Sequence, residues 1–209
     1  NSTYAVMPGT ELTETLDADR RYPLDLHMHS TASDGALPPS EVVSLCAQRG
    51  LQHMALTDHD TMAGVAEAQQ TAENLAISVL PGCELSTRWS GVGIHVVALM
   101  PQGAQGALAE GLVSQRQARI ERAEIIARQL EKLGLPDALA KAREQAGSER
   151  PLGRPDFARA LVAAGMARDW ADAFKRYLGS GKKGDVKAQW PEVSHATEWI
   201  VASGGVAVI

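Results

Sequence analysis

The chain has 209 residues, 44% of them apolar and 22% charged, enough for one hydrophobic core with a small second unit, which excludes a disordered chain. Its formal net charge of −5 excludes bulk electrostatic binding of nucleic acid, so a polyanion would have to be held in a local pocket. Cys46 and Cys83 lack CxxC spacing and are expected as reduced core residues; without a secretory pattern or an apolar run near the roughly 18 to 20 residues that cross a bilayer, a cytoplasmic protein with no membrane partner is expected.

Residues 1–21 carry no sustained period and mix polar residues with Gly and Pro, which predicts a mostly irregular leader whose TYAVM segment could add a short strand. From Tyr22 strand and helix patterns alternate. LDLHM reads as a strand, and Pro38-Pro39-Ser40 opens a helix through EVVSLCAQRG, with Pro in the first turn and Gly50 at the end. HMALT is the second strand, Thr61 or Asp60 caps a helix through MAGVAEAQQTAENLA, and ISVLPG, CELST and GIHVVALM follow as short strands. This order predicts a parallel sheet with right-handed crossovers.

Ligand-type residues collect at one rim of that sheet. Side chains alternate along a strand, so His27 and His29 share a face and reach one ion, while the Ser-Thr-Ala-Ser-Asp-Gly turn swings Asp34 back over the same mouth. His59 follows the second strand, Glu84 follows Pro81-Gly82, and His95 lies in the next strand. These six are the candidate metal ligands. Asp60, beside His59, is the candidate catalytic residue, orienting a ligand or relaying a proton, with a helix cap as the competing reading. His53 begins its strand at the opposite end and His195 falls in a predicted helix, so both are set aside; the alternation of the strand turns Cys83 away from Glu84. Imidazole and carboxylate donors without thiolate suit Mn²⁺, Fe²⁺ or Zn²⁺.

Residues 105–133 then carry a helical apolar stripe ending at Gly134, and shorter helices are expected at 136–146, 155–164 and 169–178. Arg116, Arg119, Arg122 and Arg128 read as a solvated helix face paired with Glu121 and Glu124. The organisation expected is a leader at 1–21, a barrel unit at 22–104 and 185–209, and a helical insertion at 105–184 that caps the rim.

HMHSTASDG, LTDHD, the Gly-x-Glu of PGCELS and IHVVAL resemble the first four motifs of the polymerase-and-histidinol-phosphatase (PHP) family of metal-dependent phosphoesterases. The resemblance implies a distorted seven-stranded β/α, TIM-like barrel, incomplete in this chain, with an all-α insertion and two or three divalent ions, manganese foremost. It implies that His27, His29 and Glu84 serve one ion, that Glu84 bridges to a second held by His95, and that Asp34 and His59 hold a third. The family completes this set with an Ala-His-Pro histidine and a late Ser-Asp-x-His motif, neither of which occurs here. The final run Gly-Gly-Val-Ala-Val-Ile209 is expected to be the strand that in relatives leads into Ala-His-Pro.

GRPDFARALVAAG, FKRYL, GKKGDV and QW resemble the subgroup acting on nucleoside 3′,5′-bisphosphates and on the 5′ ends of short oligonucleotides. Arg154, and more weakly Lys182, are thereby implied to bind a second phosphate, while Asp156 and Asp185 depart from the subgroup pattern and place carboxylates near that pocket. The expected function is hydrolysis of nucleotide phosphate monoesters or diesters by a metal-activated water attacking phosphorus in line. The partner is a small nucleotide or short oligonucleotide. The competing readings are a histidinol-phosphate phosphatase, an amidohydrolase, and an inactive fragment lacking the late ligands.

Overall fold

The computed structural model describes residues 23–147, 149–187 and 189–209, so the expected leader and its TYAVM segment lie outside the described residues. β1 (Leu24–Met28) and β2 (His53–Leu56) pair in parallel across α1 (Pro39–Gln48), and β2 pairs in parallel with β3 (Ser78–Trp89) across α2 (Val65–Ala72). Pro39 sits in the first turn of α1, where a missing N–H costs nothing, and Gly50 lies just past its end at φ 82°. The apolar face of α1, Val42, Val43 and Cys46, packs on Met54, Leu56, Ala68, Ile77 and Val79. This core fixes the first half of the sheet beneath the rim.

The sheet departs from the all-parallel expectation after β3. β3 is a single strand where two short ones were expected, and β4 (Val92–Leu99) returns antiparallel to it. The connecting residues, Ser90 at φ 49° and Gly91 at φ 78°, have the positive angles of a two-residue hairpin turn whose twist matches the strands it joins. No room is left for a crossover helix. β5 (Val206–Val208) pairs antiparallel with β4, giving a mixed sheet ordered β1-β2-β3-β4-β5, open among the described residues.

α2 also starts later than expected: its N-cap is Gly64, and neither Asp60 nor Thr61 caps it. Asp60 stands at φ 53°, outside helical geometry, with its carboxylate engaged elsewhere.

α3 (Gly106–Lys132) leaves the sheet as one long helix, followed by α4 (Ala138–Ala146), α5 (Arg154–Ala163), α6 (Trp170–Ala173) with a π turn at Phe174–Leu178, and α7 (Val193–Ala202). Leu108 of α3 packs with Leu85, Val96, Met100 and Ile200 against the sheet, whereas Ile126 and Leu130 pack with Leu135, Phe157, Leu161 and Leu178. One helix thus belongs to both cores.

At Gly111 α3 meets α7 so closely that an added Cβ would lie 2.5 Å from Cε3 of Trp199. Gly111→Ala gains roughly 1 kcal/mol of helix propensity but must displace an indole, at a cost of about 1–3 kcal/mol. A net loss of stability is expected in urea unfolding, and it should disappear in Gly111→Ala/Trp199→Leu.

Candidate metal centre

Backbone pairing beyond the end of β2 builds the site. Asp60 N–H donates to the Glu84 carbonyl at 3.0 Å and Glu84 N–H donates to the Asp58 carbonyl at 3.1 Å, which sets His59 beside Glu84. The Asp58 carboxylate, buried, accepts from Ser30 N–H and the Ser30 and Ser33 hydroxyls at 2.6–2.7 Å, and so fastens the loop that carries Asp34. At Gly35 a Cβ would lie 2.5 Å from the His29 carbonyl oxygen, so the turn closes only around glycine.

The six predicted ligands converge. His27 Nε2 and His29 Nε2 each lie 2.8 Å from Glu84 Oε2, and His95 Nδ1 lies 2.7 Å from Glu84 Oε1. His29 Nδ1 lies 3.2 Å from Asp34 Oδ1, and His59 Nε2 lies 3.7 Å from Asp34 Oδ2. Three overlapping groups result: His27, His29 and Glu84; His29, Asp34 and His59; His59, Glu84 and His95. In each the donor atoms lie within 4.8 Å of one another.

This donor set fits divalent cations. The two Nε2 atoms of His27 and His29 are only 3.2 Å apart, and His59 Nδ1 is buried without a hydrogen-bond partner. Lone pairs packed in this way require shared protons or a cation between them. His53, which meets Ser78 at the far end of its strand, and His195 on α7 are both exposed and outside these groups. Cys83 is buried in the core with its thiol pushed up by burial.

The electrostatics follow from crowding. Burial pulls the His29 imidazole down, but hydrogen bonds to Asp34 and Glu84 and their charges outweigh it and raise the pKa to about 9. Burial and the Arg119 charge take His59 the other way, to about 4. Burial alone would raise the Asp34 and Glu84 carboxyls, yet the surrounding imidazoles hold both far below the usual range.

In metal-free protein the contribution of His29 to stability is therefore full below its unfolded pKa near 6.5 and lost as pH rises through about 9. Those of Asp34 and Glu84 are present above their unfolded pKa values and lost only in strong acid. A metal bound at His29 must displace its proton. Mn²⁺ affinity, measured by titration calorimetry between pH 6.5 and 8.5, is expected to rise about tenfold per pH unit. A flat profile would mean that His29 is not a ligand.

Helix α3 supplies what the sequence reading assigned to solvent. Arg119 Nε donates to Asp60 Oδ2 at 2.6 Å, and Arg122, buried, donates to the Val186 carbonyl. Both guanidinium groups lie over the Trp190 ring, at 5.5 and 5.1 Å from its centroid. Of that predicted solvated face, Arg128 alone has the expected glutamate partner among the described residues, Glu124. The difference is geometric: α3 turns its Arg119 and Arg122 side toward β3, because Gln115, one turn earlier, is drawn in by Asp60 Oδ1 and the Ser86 carbonyl, both at 2.7 Å.

Arg119, Arg122 and Arg154 line a cavity of about 210 Å³ together with Asp34, His59 and His95. Burial, followed by the charges of Arg154 and Arg119, lowers the Arg122 pKa to about 9. Arg154 lies over the Phe174 ring, 3.7 Å from Asp185 Oδ1. Lys182 is exposed on the loop after the π turn and does not line this cavity.

The two unusual carboxylates are accounted for. Asp156 is fully buried, accepts from Arg150 at 2.8 and 2.9 Å and from Gly153 N–H at 2.8 Å, and caps α5 away from the cavity. Asp185 is paired with Lys187 at 2.9 Å.

Comparison with known proteins places this geometry. A 5′-3′ exoribonuclease of Haemophilus influenzae is 44% identical over 185 residues, covering 88% of this chain and 67% of its own length. A 3′,5′-nucleoside bisphosphate phosphatase of Chromobacterium violaceum is 41% identical over 186 residues, covering 89% and 65%. A solved structure described as an amidohydrolase from Chromobacterium violaceum, with bound sulfate and no metal, superposes with a TM-score of 0.82 at 40% identity, covering 88% of this chain and 65% of that one. The chain thus spans about two thirds of the length of these relatives. The PHP domain matches residues 25–147, the stretch that contributes all six convergent side chains, and the chain belongs to the PHP domain family.

Proposed function

We propose that this chain carries the metal-binding and phosphate-binding parts of a site that hydrolyses phosphate esters of nucleotides, either nucleoside 3′,5′-bisphosphates or the 5′ ends of short oligonucleotides. One observation carries the reading: Asp34, His59 and His95 of the His/carboxylate groups line the same cavity as three guanidinium groups. A nucleotide with two phosphates needs both kinds of contact.

Divalent ions, manganese foremost, would acidify a water and neutralise the phosphoryl oxygens during in-line attack. His27, His29 and Glu84 would hold one ion, Glu84 and His95 a second with His59 beside them, and Asp34 with His59 and His29 a third. Glu84, with one oxygen toward His27 and His29 and the other toward His95, is the bridge.

The residues of the insertion do the selecting. Arg122 and Arg154 offer planar donors to the phosphate that is not cleaved, and Trp190 holds the guanidinium planes of Arg119 and Arg122 in place. An anion bound there would offset the burial and the neighbouring positive charges that depress Arg122. The anion-binding cavity favours a doubly phosphorylated substrate over a singly phosphorylated one, and so over histidinol phosphate. Lys182, exposed on its loop, is left a peripheral part at most.

Phosphate release from adenosine 3′,5′-bisphosphate by Mn²⁺-loaded protein, with metal content measured on the same sample, tests this reading. Bound metal with turnover is expected, and Arg122→Ala and Arg154→Ala should each raise KM at least tenfold. Metal-loaded protein that cleaves neither the bisphosphate nor a 5′-phosphorylated dinucleotide would overturn it.

A further inference from the structure

The basic cavity, of about 210 Å³, is too small for a whole nucleotide, since small-ligand sites run to roughly 300–1,000 Å³. If Arg122 and Arg154 hold a phosphate inside it, the base of that nucleotide lies at the mouth. The side chains bordering the mouth then decide how the base is read.

Trp170 and Phe174 are on that border. Trp170 opens α6, whose first turn is fixed by the Asp169 carboxylate accepting from Asp172 N–H at 2.8 Å. The helix buries Asp172 and Ala173 but leaves the Trp170 indole 53% exposed, so this ring adds little to the core. One turn later Phe174 begins the π turn, and the two rings stack with centroids 4.2 Å apart and planes 33° from parallel. The Arg154 guanidinium also lies over Phe174, 5.8 Å from its centroid. One phenyl ring therefore holds both a cation suited to phosphate and an indole turned toward solvent, and all three line the cavity.

The opposite way out of the cavity offers no such face. There the lining continues to Asp185 and Lys187, which are paired with each other at 2.9 Å. Trp190, the other indole on the lining, is 7% exposed and has Arg119 and Arg122 over its ring. A base on that side would be read along its edge by charged groups; at Trp170 it is read by its face.

We propose that Trp170 is the platform on which the nucleobase of the substrate stacks, so that the site demands a base and accepts any of the four. Every base has a π-face, and the larger purines cover more of the indole than pyrimidines do. The proposal rests on the nucleotide phosphoesterase reading of the adjoining centre. It adds the residue that tells a nucleotide from a plain sugar phosphate.

The test compares adenosine 5′-monophosphate with ribose 5-phosphate, which differ only in the base and carry one phosphate each for the basic cavity. Binding to the full chain is measured by titration calorimetry in EDTA. Wild type is expected to bind the nucleotide at least about tenfold more tightly, the scale of stacking a base on an aromatic ring. Guanosine 5′-monophosphate should fall within about threefold of the adenosine compound, with the cytidine compound weaker than both. Trp170→Ala should remove the advantage of the base and leave ribose 5-phosphate affinity within about twofold, which also shows that the variant folds. Trp170→Leu keeps an apolar contact for Phe174 without a ring and should lose the advantage too, whereas Trp170→Phe should keep most of it. Trp89→Ala, at an exposed indole on the β3–β4 hairpin, should change nothing. If wild type prefers the nucleotide and Trp170→Ala and Trp170→Leu keep the full preference, or if one base is favoured over all others by more than about tenfold, the platform fails and the nucleotide reading stands. Equal binding of the two ligands by wild type, or binding of neither, also removes the platform; phosphate release from adenosine 3′,5′-bisphosphate then decides separately whether the nucleotide reading falls with it.

Discussion

Glu84→Gln is expected to abolish stoichiometric metal binding and to lower any phosphoesterase activity by more than about 100-fold, beyond the 10–100-fold typical of residues that only support a ligand. Glu84 is buried, and its two oxygens serve His27 and His29 on one side and His95 on the other. Glutamine keeps the volume and one acceptor but removes the charge around which these imidazoles gather. It also replaces one oxygen by an amide that cannot donate a lone pair to a cation. The His29 imidazole should then titrate below its wild-type value of about 9, because Asp34 alone remains to hold its proton. Elemental analysis after Mn²⁺ loading and proton NMR of the histidines check the two halves separately. His53→Ala, at the far end of β2, should change neither. Retention of near-stoichiometric metal in Glu84→Gln would remove the bridging role.

Asp60→Ala should cost about 3–5 kcal/mol of stability, the usual consequence of leaving a buried charge without its partner. The Asp60 side chain is fully buried and accepts from Ser86 N–H and Gln115 Nε2 at 2.7 Å and from Arg119 Nε at 2.6 Å. Alanine strands all three donors and leaves the Arg119 guanidinium uncompensated near His59. Asp60→Asn should cost less, since asparagine tolerates the left-handed backbone at this position and keeps an acceptor. Asp60 is absent from all three ligand groups found among the described residues. We therefore assign it a positioning role, holding α3 against the rim, in place of proton transfer. Because Arg119 and Arg122 ride on α3, Asp60→Asn should raise KM for a bisphosphate more than it lowers kcat. Urea unfolding reads the stability term and steady-state kinetics the positioning term. A fall in kcat alone, with a shifted pH profile, would return Asp60 to the chemistry.

What the sequence disclosed depended on the range over which each signal acts. The His27/His29 pair, Asp34, His59, Glu84 and His95 were legible because strand alternation and short turns are local rules, and the structure brings all six together. The reversal at Ser90-Gly91 is equally local, but a Ser-Gly pair is a weaker hairpin signal than Asn-Gly, and β4 was read as another parallel strand. Arg119 and Arg122 were hidden for a different reason. On a charged helix nothing local separates a guanidinium paired with an i+4 glutamate from one drawn inward by a carboxylate 59 residues away, as Asp60 draws Arg119. Trp190 entered only through the QW of the subgroup resemblance, and its place over two arginines from another element was not legible. The available hint was spacing: Gln115, Arg119 and Arg122 fall in helical phase with Leu108, Ile126 and Leu130, the residues that α3 buries.

The tight reversal between β3 and β4 sets His95 apart from the candidate ligands at strand ends and in loops. His27, His29, Asp34 and His59 enter from strand ends or loops, where an extra residue can be absorbed by the turn. His95 stands within a strand, opposite Ser86, and its direction is decided by pleat parity. A single-residue insertion or deletion at Ser90-Gly91 that shifts the pairing by one would turn His95 to the opposite face without altering any ligand. This hairpin can therefore change length only by steps that preserve its phase.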